Sequence, residues 1–211
     1  MFNGAIFDMD GTILDSMGVW QDITVNFLKS RGFTPTEEEL LAYRDMTMDE
    51  SMPAIKKKYG LAEEPAELKS IFSKLGYDAY MHTVPAKPYI KEYMQKLKNS
   101  GVKIAIATSG YKELCEGAMR RLGMLDFIDA IALSCEVGVN KSNPDVYLLA
   151  AKRLDIAPEK CMVFEDILLG IKGAQKGNFQ TTAIYDFSNE ADIELLKKTA
   201  DRYIKNWKEL L

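Results

Sequence analysis

Two aspartates near the start of the chain are spaced so that they could act together at one site. Asp8 and Asp10 follow the short apolar run of residues 5–7, which predicts a buried strand, and Gly11 comes directly after them. Residues two apart on a strand point the same way, and glycine allows a sharp turn, so both carboxylates can reach one site. Crowded carboxylates repel unless a cation or a shared proton relieves them, and Mg²⁺ prefers such oxygen ligands. A hydrogen-bonded turn at a strand end would explain the same residues without chemistry, so the rest of the chain decides.

Polar side chains also follow three later segments that resemble buried strands. Thr108, Ser109 and Gly110 come after residues 102–107, Lys141 comes after residues 128–133, and Glu165 and Asp166 come after residues 161–164. Each group alone has an ordinary structural explanation, such as a helix cap or a solvated lysine. Ligands in open α/β sheets bind beyond the carboxyl ends of the strands, so all these groups are expected at one sheet edge. Four carboxylates, a hydroxyl with backbone donors and a lysine are the groups needed for phosphoryl transfer through an aspartyl-phosphate.

The apolar pattern that must position these groups divides the chain into two parts. After residue 84, short apolar strands alternate with amphipathic helices, which predicts βαβ units, a parallel sheet and helices on both of its faces. Residues 16–83 show only helical periodicity. We therefore predict a Rossmann-like α/β core of residues 1–15 and 84–211, with residues 16–83 inserted as an all-helical cap. Within the core, Asn143 is expected to cap a helix that has Pro144 at its first position.

Composition limits the classes of function. The chain has 211 residues, of which 47% are hydrophobic and 27% charged, and its net charge of −4 lacks the basic footprint of a nucleic-acid-binding protein. No apolar run is long enough to span a bilayer, and no signal-peptide pattern precedes the first strand. Cys115, Cys135 and Cys161 are odd in number and widely spaced, which argues against a disulfide framework or a zinc site. We expect a cytoplasmic protein, by default a monomer, that binds neither nucleic acid nor a membrane.

These motifs, in this order and in these strand contexts, resemble those of the haloacid dehalogenase superfamily. The first motif is matched by residues 8–12, the second by Thr108, the third by Lys141 and the fourth by Glu165 and Asp166. The resemblance covers essentially the whole chain. The helical insertion is similar to the cap of the β-phosphoglucomutase-like phosphatase subfamily. The third motif departs from the usual Gly-Lys-Pro, because Lys141 is flanked by Asn140 and Ser142.

The resemblance implies a Mg²⁺-dependent phosphatase whose partner is a small-molecule phosphate ester, such as a sugar phosphate. Asp8 would attack phosphorus, while Asp10 would protonate the leaving oxygen and later take a proton from the attacking water. The implied metal ligands are Asp8, the backbone carbonyl of Asp10, Asp166 and, directly or through water, Glu165. The implied phosphate-binding residues are Thr108, Ser109, Gly110 and Lys141.

Two alternatives stay open on this sequence. A β-phosphoglucomutase-type mutase would need cap residues that hold a second phosphate, and the resemblance gives these as an arginine, a histidine and a lysine. Met48 takes the place of the arginine and Trp20 that of the histidine, while Arg44 would substitute for the arginine if the alignment shifts. Gly76 lies where the lysine is expected, and Lys74 is nearby. Trp20, Arg44 and Met48 are therefore the cap residues expected to contact substrate. The other alternative is a catalytically silent phosphate-binding protein, against which the retention of all the motif residues argues.

Overall fold

The structure is a computed structural model that describes residues 2–44, 46 and 48–211, without the side chain of Arg44. The chain forms two compact units, one comprising the segments up to Asp15 and from Pro85 onward, and the other comprising Ser16–Val84. The predicted domain limits lie within one residue of these bounds. The assignment of the two units as a catalytic core and a cap stays a prediction.

The larger unit is built on a six-stranded sheet. The strands are β1 (Gly4–Phe7), β2 (Lys103–Thr108), β3 (Ala130–Leu133), β4 (Cys161–Glu165), β5 (Gln180–Ile184) and β6 (Arg202–Ile204). Their order across the sheet is β3-β2-β1-β4-β5-β6, and every neighbouring pair is parallel. The predicted parallel α/β sheet is confirmed. Because β1 lies between β2 and β4, the residues that follow these three strands share the centre of one sheet edge.

The regular secondary structure of the smaller unit, among its described residues, is entirely helical. Its helices are α1 (Val19–Ser30), α2 (Glu37–Arg44), α3 (Met48–Tyr59) and α4 (Pro65–His82). Their apolar faces meet in a core in which the rings of Phe27 and Phe72 pack edge to face, with centroids 5.0 Å apart. Gly76 allows α1 and α4 to approach closely, since a Cβ at this position would lie 2.4 Å from the ring of Trp20. The helical periodicity of this stretch therefore reflects real packing of one face of each helix.

Among the described residues, six further α-helices belong to the larger unit. They are α5 (Ile90–Asn99), α6 (Lys112–Arg121), α7 (Ser134–Val137), α8 (Asp145–Leu154), α9 (Leu168–Lys176) and α10 (Ile193–Thr199). The sequence does not predict α7 and α10, because neither is long enough to show a clear periodicity. The predicted cap of α8 is wrong: Pro144 occupies the N-cap position, and the Asn143 amide instead donates to Ser142 Oγ at 3.3 Å.

The central strands carry a separate core on each face of the sheet. Ile6 and Ala105 face α8 in one of these cores. On the opposite face the rings of Phe7 and Phe164 stack with centroids 4.6 Å apart, and Trp207 packs against both. Both faces of β1 are buried, which explains why its sequence is a continuous apolar run instead of an alternating one.

Among the described residues, no helix is both long and apolar enough to cross a bilayer. The longest of the described helices is α4, with 18 residues, and it carries charged side chains along its length from Glu67 to Asp78. The cytoplasmic location, the monomeric state and the absence of a nucleic-acid partner stay predictions.

Candidate active site

The site is assembled where β1 and β4 end side by side. Asp8 follows β1 directly, Glu165 is the last residue of β4, and Asp166 comes next. The backbone N–H of Asp8 donates to the carbonyl of Phe164 at 2.9 Å, which fixes the two strand ends relative to each other. All three carboxylates are buried, and one oxygen of each lies within 4.8 Å of the others. The structure thus brings together three of the four acids that the sequence places at this edge.

A buried lysine lies against two of these carboxylates. Lys141 Nζ donates to Asp8 Oδ1 and, at 2.7 Å, to Glu165 Oε1. The hydroxyl of Tyr147 in α8 donates to the same Glu165 oxygen at 2.8 Å. Three carboxylates and one ammonium leave an excess of negative charge in a space from which water is largely excluded, which is costly unless a cation balances it. An all-oxygen donor set with this excess charge fits a hard divalent cation such as Mg²⁺.

The loop that carries Lys141 departs from the expected third motif but is held in place by other contacts. The side-chain oxygen of Asn140 accepts from the backbone N–H of Ser142 at 3.1 Å, forming the kind of turn that asparagine favours. Lys176 Nζ donates to the Ser142 carbonyl at 2.8 Å. A Cβ on Gly173 would lie 1.9 Å from the Lys141 carbonyl, so α9 can pack against this loop only with glycine there. The missing Gly and Pro of the motif are therefore not needed to place Lys141 against Asp8.

Glycines leave space for the buried side chains of the site. Three of them border a site residue so closely that a Cβ would overlap with it: Gly11 with Asp166 Oδ2 (2.4 Å), Gly170 with the Glu165 carboxyl carbon (2.5 Å), and Gly173 with the Lys141 carbonyl (1.9 Å). Gly11 also has a φ of +82°, a conformation that residues with a Cβ rarely adopt. The glycine that follows Asp10 is therefore required both by the turn and by the position of Asp166.

Both carboxylate oxygens of Asp166 are hydrogen-bonded. Thr12 Oγ1 donates to Oδ1 at 3.1 Å, and Asn189 Nδ2 donates to Oδ2 at 2.8 Å. Sequence reasoning gave no role to Thr12, Asn189 or Tyr147. Thr12 lies in the first motif, which is a signal that could have found it. No motif marks the other two, because their contacts depend on how distant segments pack.

Thr108, Ser109 and Gly110 form the end of β2 and the turn after it. Thr108 is buried, and its Oγ1 accepts from the Gly110 N–H at 2.9 Å. A Cβ on Gly110 would lie 3.9 Å from Asp10 Oδ2, so this turn borders the Asp10 carboxylate. Ser109 is exposed, and its hydroxyl lies 3.1 Å from that of Ser134. The turn therefore lies beside Asp10 at Gly110, and the Ser109 hydroxyl contacts that of Ser134.

The predicted cap residues lie in the smaller unit. Trp20 and Met48 line a cavity of about 330 Å³ inside that unit, together with Met17, Gln21, Thr24, Leu40, Tyr43, Met46, Ser51, Met52, Ile55 and Phe72. None of these lining residues, all of which the structure describes, carries a charge. The side chain of Arg44, the third predicted cap residue, lies outside the described residues.

Burial controls the ionisation of the site. Burial raises the pKa of Asp8 from 3.8 to about 7, although the ammonium of Lys141 opposes the shift. Burial, and next the charge of Asp8, raise the pKa of Asp166 well above its usual value. Burial disfavours the charged form of Lys141, but the charges of Asp8 and Glu165 outweigh it and raise the pKa of this lysine. Without a cation the site therefore favours protons on Asp8 and Asp166, and a bound cation would displace them.

The raised pKa of Asp8 predicts a pH effect on the stability of the metal-free protein. An acid whose pKa rises on folding contributes stability that is complete below its unfolded pKa of 3.8 and is lost as the pH rises through about 7. Asp8→Asn cannot ionise, so in EDTA at about pH 8 this variant should melt several degrees above the wild type, and the gap should shrink as the pH falls below about 7 and close only near pH 3.8. Differential scanning fluorimetry across this range provides the measurement. A difference in melting temperature between the two proteins that is the same at every pH would contradict the raised pKa of Asp8.

Comparison with known proteins places the chain in a family. The model of the haloacid dehalogenase-like hydrolase family matches residues 5–184. The phosphorylated carbohydrates phosphatase of Thermotoga maritima is 25% identical over 175 residues, which cover 83% of this chain and 81% of that protein. Hexitol phosphatase A of Escherichia coli is 27% identical over 170 residues, which cover 80% of this chain and 76% of that phosphatase.

A solved structure shares the fold over the full length of the chain. A provisionally assigned β-phosphoglucomutase from Thermotoga maritima matches with a TM-score of 0.88 at 24% identity. The match covers 99% of this chain and 100% of that protein's chain. The predicted superfamily is confirmed by the family model, and the chain shares its fold with this structure. Since the family match spans the strands and motifs that build the site, the chain belongs to the haloacid dehalogenase-like hydrolases.

Proposed function

We propose that this protein is a Mg²⁺-dependent phosphatase that hydrolyses a small phosphorylated metabolite through an aspartyl-phosphate on Asp8. At the coarser level, the predicted class of phosphoric monoester hydrolase is confirmed by the family match and by the phosphatase relatives. The observation that carries the finer proposal is the buried group of Asp8, Glu165 and Asp166 with Lys141 bonded to Asp8. This group supplies a nucleophile, a set of oxygen ligands and a fixed positive charge within one site.

Asp8 forms the covalent bond to phosphorus, and Asp10 transfers the protons. A carboxylate oxygen of Asp8 forms a bond to phosphorus while the bond from phosphorus to the ester oxygen breaks, and Asp10 gives that oxygen its proton. In the second step Asp10 takes a proton from water, whose oxygen attacks phosphorus and releases phosphate and free Asp8. The position of Asp10 supports this role, because its carboxylate borders the Gly110 turn and is not one of the three clustered acids.

The surrounding residues would hold the charges of the reaction. Asp8, Glu165, Asp166 and the backbone carbonyl of Asp10 would hold Mg²⁺. When bound, the ion would reduce the repulsion between Asp8 and the phosphate dianion. Lys141 would pair with phosphoryl oxygens while it keeps Asp8 oriented, and its burial strengthens both contacts. The Thr108 hydroxyl and the backbone N–H groups of Ser109 and Gly110 would complete the phosphate site.

Features of the smaller unit favour hydrolysis over phosphate transfer within a sugar. A mutase needs positive charge to hold the second phosphate of a bisphosphate intermediate. The described lining of the 330 Å³ cavity carries no charged side chain. Gly76, where the resemblance expects a lysine in mutases, borders the ring of Trp20. Because none of these described lining residues offers a positive charge to a second phosphate, water is expected to complete the reaction at Asp8.

We expect the purified protein, tested with Mg²⁺ on a panel of phosphorylated metabolites, to release inorganic phosphate. The discriminating substrate is β-glucose 1-phosphate supplied with catalytic glucose 1,6-bisphosphate. Phosphate should then form faster than glucose 6-phosphate, which a coupled dehydrogenase assay measures in parallel. The opposite order would establish the mutase. Binding of phosphate esters without any turnover would instead identify a silent binding protein.

A further inference from the structure

A hydrogen-bond network that contacts Asp166 takes no part in the bond-making and proton-transfer steps at Asp8 and Asp10. Asn189 lies in the 3₁₀ segment Phe187–Asp192 after β5, and its side-chain amide donates to Asp166 Oδ2 at 2.8 Å. We propose that Asn189 is a positioning residue that fixes the Asp166 carboxylate for cation binding. This inference rests on the proposed function, since it assigns a role at the same metal site.

The position of Asn189 depends on the buried carboxylate of Asp186. Asp186 is 1% exposed and accepts from Lys87 Nζ at 2.6 Å through one oxygen. Its other oxygen accepts from the backbone N–H and the hydroxyl of Ser188, at 2.9 and 2.6 Å. The Asp186 carbonyl then accepts from the backbone N–H of Asn189 at 3.2 Å. The segment that carries the Asn189 amide is therefore anchored to the protein interior, because a buried carboxylate is strongly destabilising without its partners.

Asn189 and Thr12 together restrict the Asp166 carboxylate from both sides. Thr12 Oγ1 donates to Oδ1 and the Asn189 amide donates to Oδ2, so rotation of the carboxylate would break at least one hydrogen bond. A ligand that is already ordered loses less conformational entropy when the cation binds. Partners of this kind orient the direct ligands of metal ions in many proteins.

The neutral amide is suited to this role because it leaves the charge of Asp166 available. A lysine or arginine at position 189 would pair with Asp166 and compete with a cation for the carboxylate. Lys141 instead donates hydrogen bonds to Asp8 and Glu165. The arrangement therefore gives Asp166 two neutral donors and leaves its negative charge for the cation.

Asn189→Leu tests the proposal, because leucine branches at the same atom as asparagine and has the same number of side-chain heavy atoms but cannot donate a hydrogen bond. Isothermal titration calorimetry of the metal-free full-length protein with Mg²⁺ should show a Kd about 10–100-fold higher than that of the wild type. Phosphate release should need correspondingly more Mg²⁺ for half-saturation, while kcat at saturating Mg²⁺ changes little. The matched control is Asn99→Leu, which removes an amide that pairs with Gln95 at the exposed end of α5 and should leave the Kd unchanged.

The outcomes separate the positioning role from the proposed function. Equal Mg²⁺ affinity of wild type and Asn189→Leu would overturn the positioning role alone. The same holds if the variant only melts at a lower temperature, because that would indicate a purely structural contact. A wild-type protein that binds no Mg²⁺ would overturn the metal requirement of the proposed function, and the role of Asn189 with it.

Discussion

Replacement of Asp8 by asparagine is expected to abolish phosphate release. The amide keeps the size of the carboxylate but cannot form the aspartyl-phosphate, and removal of a covalent nucleophile costs on the order of 10⁵-fold or more in turnover. Lys141, which donates to Asp8 Oδ1, also loses the negative charge that orients it. The measurement is phosphate release from the best ester of the panel at saturating Mg²⁺.

Two controls make this result specific. Asp126→Asn removes a carboxylate from the exposed 3₁₀ segment Leu125–Phe127 and should retain wild-type activity. Rapid acid quenching with a ³²P-labelled ester should leave label on the wild-type protein and none on Asp8→Asn. The variant should also remain folded, since the buried charge that it removes is unfavourable in the metal-free state. Near-wild-type turnover by Asp8→Asn would refute the aspartyl-phosphate scheme.

The sequence predicts the sheet and the main site groups because both depend on local patterns. Short apolar runs mark the strands, and strand-helix alternation makes the sheet parallel, so the strand ends must share an edge. Asp8, Lys141, Glu165 and Asp166 could therefore be assigned to one place from their positions after strands. The structure then supplies what no pattern gives, namely that Lys141 lies against Asp8 and Glu165 rather than Asp166.

The contacts that sequence reasoning missed depend on side-chain packing between distant segments. Tyr147 reaches Glu165 only because α8 packs against the central strands, and the helical pattern of α8 does not reveal this contact. Asn189 reaches Asp166 from a segment after β5 that has no regular periodicity. The sequence pattern assigns no role to Gly173. In the structure it is the residue that allows α9 to approach the Lys141 loop.

Asp10→Asn is expected to lower turnover of a sugar phosphate by about 10²–10⁴-fold, because both half-reactions lose their proton donor or acceptor. The substitution should leave Mg²⁺ binding largely intact. The expected metal contact of Asp10 is its backbone carbonyl, and its carboxylate is separate from the cluster of Asp8, Glu165 and Asp166. Calorimetric titration with Mg²⁺ on the Asp10→Asn protein checks this point independently of turnover.

The dependence on leaving group tests whether Asp10 is the general acid. An alkoxide of a sugar is a poor leaving group and needs its proton during bond cleavage, whereas p-nitrophenolate leaves readily without one. Pre-steady-state release of p-nitrophenol should therefore slow much less in Asp10→Asn than cleavage of the best sugar ester does. The later hydrolysis of the aspartyl-phosphate should slow equally with both substrates, because it no longer depends on the leaving group. An equal loss in the first step for both esters would remove the general-acid role and leave Asp10 only as a base toward water.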